Sequence, residues 1–163
     1  MIPRSLRQLF DAMYHGKYRF EEFLELRPEE HYSPVEWNKR TIYKPSKKLR
    51  EFHAFLNGFL LEHLSVNQSV SFAYRKGATL LQAVVPHTRS RAFYKTDLER
   101  FFDSITADLV RSVLEKAVTP VSDLTEHIDH ILGLLTINGK LPIGYSTSPI
   151  LSNACLLGFD ERL

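Results

Sequence analysis

Cysteine is almost absent from this sequence, and Cys155 is the sole example. A single thiol excludes a disulfide framework within the chain and is typical of proteins in a reducing compartment. Long apolar runs are also missing, since none reaches the ~18 residues of a membrane-spanning helix. The first residues, MIPRSLRQLFD, lack the hydrophobic core of a signal peptide. From these absences we expect a cytoplasmic protein with no membrane partner.

The sequence also lacks a strong excess of positive or of negative charge. The chain has 21 Lys and Arg residues against 19 Asp and Glu residues, which gives a formal net charge of +2. This balance permits a nucleic-acid partner but does not indicate one, because dedicated nucleic-acid binders usually carry a strongly basic face. Histidines such as His53 match no metal-ligand spacing, and we expect them at scattered surface positions. With 44% hydrophobic residues, a chain of 163 residues can bury a core.

Apolar residues recur at helical spacing in several segments. A capping-box pattern of Ser5 and Gln8 precedes the first segment, and Ser46 is positioned to cap a helix with an apolar face from Leu49 to Leu60. The predicted helices cover residues 5–16, 19–26, 46–60, 80–85, 106–117 and 122–135. A last helix is expected from Pro149 onward, with Ser148 as its cap.

Two short runs favour β structure, RTIYKP at 40–45 and AFYKTD at 92–97. Residues 27–38 contain Pro28 and Pro34 and are predicted to form a connector. The predicted strands and helices alternate irregularly, and the sequence contains no internal repeat. This pattern indicates the α+β class rather than a doubly wound sheet.

Asp97 follows the second of these predicted strands and precedes a turn. A carboxylate at a strand end can project into a cleft and bind a divalent cation through its oxygens, whereas a lone Asp in a turn is more often a cap. Phe101 and Phe102 follow, and their spacing fits either two core residues or one core residue and one cleft wall. The cations at 47, 48 and 50 are either surface charges or neighbours of a bound anion.

The stretch LPIGYSTSPILSN, residues 141–153, combines a glycine, two prolines and many side-chain donors with the start of a helix. Gly144 permits a positive φ or a close approach of the backbone. Free N–H groups at a helix N-terminus suit an anion or the edge of a nucleotide. An ordinary capped helix after a polar loop is the alternative.

Four sequence blocks occur in a characteristic order: RTIYKPSKKLR, SFAYRKGATLLQAVVPH, YKTDLERFFDSI and LPIGYSTSPILSN. Together they resemble the successive blocks of bacterial reverse transcriptases of the retron and group II intron type, over residues 40–163. The resemblance implies an α+β fold of polymerase fingers plus a partial palm, helix-rich with a small antiparallel sheet. It implies a helical extension over 1–39, fingers over 40–96 and a partial palm over 97–163.

The resemblance also implies residue roles. Asp97 matches the first catalytic aspartate, a ligand for two Mg²⁺ ions, with the Leu98 carbonyl as a further metal ligand. Phe102 matches the aromatic steric gate that packs under the nucleotide sugar. The remaining nucleotide-binding positions are Arg40, Lys47, Arg50, Gly144, Thr147, Ser148 and Pro149. Template-binding positions are Arg75, Lys76 and Gly77.

Several departures from the family accompany these matches. Ile143 stands where the family commonly has Gln, and Tyr145-Ser146 stands where Ala-Pro is frequent. The Tyr-x-Asp-Asp hairpin and the thumb of the family are not in the sequence, and one carboxylate cannot hold two metal ions. We therefore expect a fragment of a longer polymerase that is inactive alone.

Three interpretations follow from the resemblance. The first is an RNA-directed DNA polymerase whose partners are an RNA template, a DNA or RNA primer, dNTP and a cognate structured non-coding RNA. The second is a catalytically incomplete nucleic-acid-binding module or a reverse-transcriptase-like module associated with antiviral defence. In the third, the fold serves only assembly or protein contacts.

Overall fold

The computed structural model describes residues 2–75 and 77–162. In these ranges the regular structure consists of eight α-helices, one β-hairpin and three 3₁₀ helices (Pro28–Glu30, Leu61–His63 and Val85–His87). The helices are α1 (Leu6–Tyr14), α2 (Phe20–Leu24), α3 (Lys47–Phe59), α4 (Leu80–Val84), α5 (Phe101–Ser104), α6 (Ala107–Lys116), α7 (Leu124–Leu135) and α8 (Ser148–Asp160). The strands are β1 (Tyr32–Trp37) and β2 (Arg40–Pro45). The fold is thus α+β and helix-rich with a small antiparallel sheet, as predicted.

The hairpin pairs β1 with β2 from Tyr32↔Pro45 to Trp37↔Arg40. Its two turn residues, Asn38 and Lys39, have φ values of 48° and 62°. Positive φ at both central positions is the geometry of a type I′ turn, whose twist matches that of the flanking strands. The strand predicted at 40–45 is confirmed, but the prediction that 27–38 is only a connector is wrong. Pro34 did not prevent strand formation, because β1 is an edge strand and proline is tolerated there.

The core centres on aromatic side chains of the first three helices. Phe10 lies with its ring centroid 5.5 Å from that of Phe23, 5.7 Å from that of Phe52 and 5.2 Å from that of Phe55. All four rings are fully buried. Buried aromatics contribute large apolar areas and favourable edge-to-face contacts. This cluster joins α1, α2 and α3 into one packed unit, to which α7 adds Ile131, Leu134 and Leu135.

Local capping signals set several helix starts. The Ser5 hydroxyl accepts a hydrogen bond from the Gln8 amide at 3.2 Å, and the Gln8 side chain accepts one from the Ser5 amide at 3.1 Å. The Ser46 hydroxyl likewise accepts from the Leu49 amide at 3.2 Å. Both predicted caps are confirmed, and each satisfies N–H groups that a helix start leaves free. Helix α2 is shorter than the predicted 19–26.

The segment from residue 78 to residue 100 contributes nothing to the core, since its side chains are exposed or half-buried. Phe93 and Tyr94 are 74% and 93% exposed. The strand predicted at 92–97 is wrong, because these residues have no regular structure. A strand must pair its backbone N–H and C=O groups, and no described strand lies beside this segment. In the described ranges, every helix is too short or too polar to cross a bilayer.

Candidate active site

Three separate segments of the chain line a cleft of about 890 Å³. They are the hairpin turn with β2, the stretch 97–103, and the loop between α7 and α8. The lining residues are Lys39, Arg40, Thr41, Tyr43, Asp97, Leu98, Glu99, Arg100, Phe101, Phe102, Asp103, Ile137, Asn138, Lys140, Leu141, Pro142 and Ile143. The cleft therefore brings together Arg40, Asp97, Leu98 and Phe102 of the predicted site.

Backbone hydrogen bonds hold the α7–α8 loop in the wall of the cleft. The Leu141 amide donates to the Ile105 carbonyl at 3.2 Å, and the Ala107 amide donates to the Gly139 carbonyl at 2.8 Å. These bonds fasten the loop to the segment that connects α5 with α6. Because these hydrogen bonds join residues far apart in the sequence, no local sequence pattern predicts them.

The cleft carries charges of both signs. Asp97 is exposed, and its carboxylate has no ion-pair partner among residues 2–75 and 77–162. The lining cations are Lys39, Arg40, Arg100 and Lys140, and the lining acids are Asp97, Glu99 and Asp103. Cations attract phosphate oxygens, and carboxylates attract hard metal ions. The same cleft can therefore hold a phosphate group and the cation that accompanies it.

Phe101 and Phe102 each serve both of the roles that the sequence left open. Their ring centroids are 5.4 Å apart, both rings are half-buried, and both pack against the core. Both also line the cleft. Arg100, with φ of 49°, turns the backbone into α5 and so directs this pair of rings. Phe102 thus lines the same cleft as Asp97, and its predicted role against a nucleotide sugar stays a prediction.

Gly144 is the point at which the α7–α8 loop touches the hairpin. The Tyr43 amide donates to the Ile143 carbonyl at 2.7 Å, so the loop pairs with the free edge of β2. Gly144 has φ of 108°, and a Cβ atom there would overlap the Tyr43 carbonyl oxygen and lie 2.9 Å from Ile42 Cγ2. Glycine is therefore required for this close approach. Gly144 itself does not line the cleft, although Pro142 and Ile143 do.

The predicted cap at Ser148 is wrong. Helix α8 begins at Ser148, and the residue before it, Thr147, makes no side-chain capping bond. The Ser148 hydroxyl instead donates to the Pro142 carbonyl at 2.7 Å, in a buried position. Proline follows in the first turn, where its missing N–H costs nothing. Thr147 and Ser148 are buried, Pro149 is half-buried, and none of the three lines the cleft.

A buried polar cluster lies behind this loop. Four side-chain atoms have no hydrogen-bond partner among the described residues: His53 Nδ1, Asn57 Oδ1, Tyr145 Oη and Thr147 Oγ1. The rings of His53 and Tyr145 are 4.5 Å apart between centroids. His53 Nε2 lies 2.9 Å from the Leu134 carbonyl, so Nε2 donates and Nδ1 is left as an acceptor.

Burial keeps His53 uncharged. Desolvation lowers its pKa to about 4, against a smaller opposing effect of the bond to Leu134. The surface position expected for this histidine is wrong. Its helical spacing from Leu49 and Leu56, on the buried face of α3, was the signal that could have located it.

Comparison with known proteins shows that the chain is similar to reverse transcriptases. No family model matches the chain. The chain is 26% identical over 155 residues to the retron Ec83 reverse transcriptase of Escherichia coli, which covers 88% of this chain and 49% of that protein. It is 29% identical over 131 residues to the retron Ec73 reverse transcriptase of Escherichia coli, with coverage of 76% and 41%.

A third similar protein comes from another organism. The chain is 28% identical over 145 residues to the retron Mx162 reverse transcriptase of Myxococcus xanthus, with coverage of 77% and 29%. The chain resembles a fragment of a retron reverse transcriptase. It spans half or less of the length of these curated relatives.

Other positions predicted from the retron resemblance lie away from the cleft lining. Lys47 and Arg50 are both exposed near the start of α3. Their neighbour Lys48 forms an ion pair with Glu22 at 2.7 Å, which accounts for that cation as a surface charge. No structural observation tests a role for Lys47 or Arg50 in nucleotide binding, and that role stays a prediction.

The predicted template block of the retron-like chain is only partly described. The Arg75 guanidinium donates to the Gln68 carbonyl and lies 5.5 Å from the centre of the Phe72 ring. Gly77 is exposed with φ of 77°. Lys76 lies outside the described residues. Template binding at these three positions stays a prediction.

The residues of the cleft fit part of a magnesium site. Carboxylate and carbonyl oxygens are the ligands that Mg²⁺ prefers, and Asp97 and Leu98 are both in the cleft wall. However, no group of three or more His, Cys, Asp or Glu side chains suited to a metal ion occurs in the described part of the chain. The donors thus have the right chemistry, but these residues do not complete a metal site.

Proposed function

We propose that this chain forms the nucleotide-facing part of an RNA-directed DNA polymerase, a reverse transcriptase. The observation that carries the proposal is the single cleft that contains Asp97, Phe102 and Arg40, residues from two distant segments of the sequence. The similarity to retron reverse transcriptases over 76–88% of the chain supports it. The partners would be an RNA template, a DNA or RNA primer and dNTP.

The proposed reaction is nucleotidyl transfer. The 3′-hydroxyl oxygen of the primer attacks the α-phosphorus of a dNTP, the hydroxyl proton passes to solvent, and the bond to pyrophosphate breaks. Two Mg²⁺ ions, when bound in the complete enzyme, would neutralise charge on the phosphates. Asp97 would hold metal through its carboxylate, and the Leu98 carbonyl would assist.

Two further cleft residues have proposed roles in binding the nucleotide. The Arg40 guanidinium would donate hydrogen bonds to phosphate oxygens, for which its planar fork is well suited. The Phe102 ring would pack under the sugar and leave no room for a ribose 2′-hydroxyl. A cognate structured non-coding RNA is a further partner that we propose.

A second candidate function is a nucleic-acid-binding or defence-associated module that does not polymerise. The departures from the family at Ile143 and at Tyr145-Ser146 favour it. The described residues hold no complete set of metal ligands, so we expect no polymerase activity from these 163 residues alone. The two candidates differ in whether the full-length gene product extends a primer.

The decisive experiment measures primer extension on an RNA template by the full-length gene product. Asp97→Asn keeps the size of the side chain and removes its charge, and we expect a loss of about 100-fold or more in rate. Asp11→Asn is the matched control, because Asp11 is an exposed residue of α1 outside the cleft lining. We expect this control to keep full activity.

The outcome separates the two candidates. If the wild type extends the primer and Asp97→Asn extends it at the same rate, Asp97 is not part of the active site. Binding of RNA without extension would support the non-polymerising module. A Phe102→Ala variant that incorporates rNTP as well as dNTP would support the role of Phe102 against the sugar.

A further inference from the structure

Two asparagine side chains tie the segment 67–73 to helix α8. The side-chain amide of Asn153, a residue of α8, donates a hydrogen bond to the Ala73 carbonyl at 2.7 Å. In the opposite direction, the side-chain amide of Asn67 donates to the Asp160 carbonyl at 3.2 Å. Each asparagine therefore binds a backbone carbonyl on the other side of the contact, and we call Asn67 and Asn153 the asparagine pair.

The spacing of these contacts sets the direction of the segment along the helix. Residues seven positions apart, as Asn153 and Asp160 are, lie on the same face of a helix and about 10.5 Å apart along its axis. Asn67 contacts the C-terminal end of this face, and Ala73 contacts the end nearer the N-terminus. The segment therefore runs antiparallel to α8 and is fastened at both ends.

Asn67 also shapes the segment that it fastens. Its side-chain oxygen accepts hydrogen bonds from the Ser69 amide at 3.1 Å and from the Ser69 hydroxyl at 2.6 Å, and its carbonyl accepts one from the Ser71 amide at 2.9 Å. Asn side chains commonly close turns in this way. The Asp160 carbonyl is the last of α8, where a helix has no N–H of its own to offer. Asn67 thus satisfies a carbonyl that the helix leaves free.

Apolar burial contributes little to the position of this segment. Residues 68–70, 73 and 74 are exposed, and Phe72 is only half-buried. A segment with few buried contacts opens locally at a low cost in free energy. The asparagine pair therefore supplies the hydrogen bonds that keep the segment on α8.

Helix α8 connects this segment to the wall of the cleft. The Ser148 hydroxyl, in the first turn of α8, donates to the Pro142 carbonyl at 2.7 Å, and Pro142 lines the cleft. Asn153 is five residues further along α8, about 7.5 Å along the helix axis. Arg75 follows the fastened segment, and its guanidinium donates back to the Gln68 carbonyl. The segment that carries Arg75 is thus attached to the cleft wall through Asn153.

We propose that Asn153 is a positioning residue for template binding. Its bond to the Ala73 carbonyl keeps Arg75 at a fixed distance from the cleft wall, so that the contact of Arg75 with the template is preorganised. A preorganised contact loses less conformational entropy on binding than a mobile one. The inference rests on the proposed function, since it gives a neutral residue of α8 a part in binding the strand that a polymerase would copy.

The experiment measures primer extension by the full-length gene product, with the concentration of an RNA template–primer varied and dNTP at saturation. Asn153→Ala removes the amide that binds Ala73. We expect its KM for the template–primer to rise about 2- to 12-fold, the effect of one lost hydrogen bond, and its kcat to stay unchanged. A rise in KM alone indicates an interaction that the bound substrate and the transition state share equally. A fall in kcat with unchanged KM would place Asn153 at the chemical step and overturn the inference.

Two variants separate loss of the amide from loss of a side chain. Asn153→Gln keeps an amide donor on a side chain that is longer by one methylene, and it should recover most of the affinity that Asn153→Ala loses. Gln68→Ala is the matched control, because it also removes an amide, from an exposed side chain of the same segment. It should have the same KM as the wild type.

The variant Arg75→Ala tests whether Asn153 acts through Arg75. If it does, adding Asn153→Ala to an Arg75→Ala protein should raise KM by less than about 2-fold, since the contact that Asn153 positions is already lost. The same rise in KM in both backgrounds would show that Asn153 acts by another route, and it would overturn the inference.

Hydrogen exchange monitors the segment directly. In Asn153→Ala we expect faster exchange of the amides of residues 67–75, with unchanged exchange in α1 and α3. Asn67→Ala, which releases the other end of the segment, should have the same effect. Exchange in the segment that neither variant changes would show that the asparagine pair does not hold it, and it would overturn the inference.

Failure of the inference can be told apart from failure of the proposed function. Equal KM values of wild type and Asn153→Ala, with primer extension that still depends on Asp97, would overturn the positioning role and leave the polymerase intact. Fluorescence anisotropy with a labelled template–primer measures binding without chemistry. Weaker binding by Asn153→Ala, together with no primer extension by the wild type, would support the positioning role and overturn the polymerase.

Discussion

The substitution Gly144→Ala tests the close packing of the α7–α8 loop on the hairpin. The added Cβ atom would overlap the Tyr43 carbonyl oxygen and lie 2.9 Å from Ile42 Cγ2. The first of these is a backbone atom in a paired strand, so it cannot move aside as a flexible side chain would. In addition, Ala would have to adopt φ of 108°, which non-glycine residues rarely do.

The expected cost follows from these two effects. An unfavourable backbone conformation of this kind costs about 1–3 kcal/mol, and overpacking costs about 1–3 kcal/mol more. The sum, about 2–6 kcal/mol, is a large part of the roughly 5–15 kcal/mol that stabilises a typical domain. At roughly 2–4 °C per kcal/mol for a chain of this size, we expect Tm to fall by at least about 4 °C.

Two other glycines separate the backbone effect from the steric effect. Gly139 has φ of 71°, but a Cβ atom added there would meet nothing within 4 Å, so Gly139→Ala should cost only about 1–2 kcal/mol. Gly58, within α3, also has open space around it. Gly58→Ala should stabilise by about 0.5–1 kcal/mol, since Ala is the better helix former.

The assay is thermal and urea unfolding followed by far-ultraviolet circular dichroism. Helix signal is the appropriate probe, because the single tryptophan is exposed and reports poorly on core unfolding. We expect the order of stability to be Gly58→Ala, wild type, Gly139→Ala, Gly144→Ala. If Gly144→Ala is no less stable than Gly139→Ala, the loop does not pack on Tyr43 as described, and the wall of the cleft is wrongly placed.

Two further predictions concern the buried polar cluster. Folded His53 stays neutral down to a pH of about 4, because burial lowers its pKa, whereas an unfolded histidine is protonated below about 6.5. The unfolded state therefore binds more protons in this window, and stability should fall by up to about 3 kcal/mol on acidification. Urea unfolding of His53→Gln across this range should show a weaker pH dependence, with some remaining from His130, whose pKa burial also lowers. Tyr145→Phe removes a buried hydroxyl without a described partner, so we expect unchanged or slightly higher stability; a loss above about 1 kcal/mol in the same urea titration would show that the hydroxyl has a partner.

Local signals in the sequence located the helix starts and one strand. The Ser5–Gln8 capping box, the Ser46 cap and the RTIYKP strand appear where the sequence predicts them. Each depends on residues within about one turn or on short-range β preference, and at these positions the tertiary structure agrees with the local signal. Strand β1 was missed because Pro34 indicates a connector, and only pairing with β2 shows that it lies at a sheet edge.

For the candidate site too, some residues could be predicted from the sequence and others only from the tertiary structure. Asp97, Leu98, Phe102 and Arg40 were predicted from sequence blocks, and the structure brings them into one cleft. Ser148 was misassigned because its acceptor, the Pro142 carbonyl, comes close only when the loop folds back on itself. The burial of His53 likewise depends on Tyr145 and on the Leu134 carbonyl, both far away in the chain.

The amino-acid sequence by itself determined the caps at Ser5 and Ser46, the apolar faces, the glycine that a tight contact requires and the resemblance to retron reverse transcriptases. These features depend on side chains and backbone preferences that act over a few residues. Only the tertiary structure decided that the segment at 92–97 lies unpaired, that the α7–α8 loop pairs with β2, and that Trp37 lies in solvent. Pairing and burial require a partner surface, and which surface is present depends on how the whole chain packs.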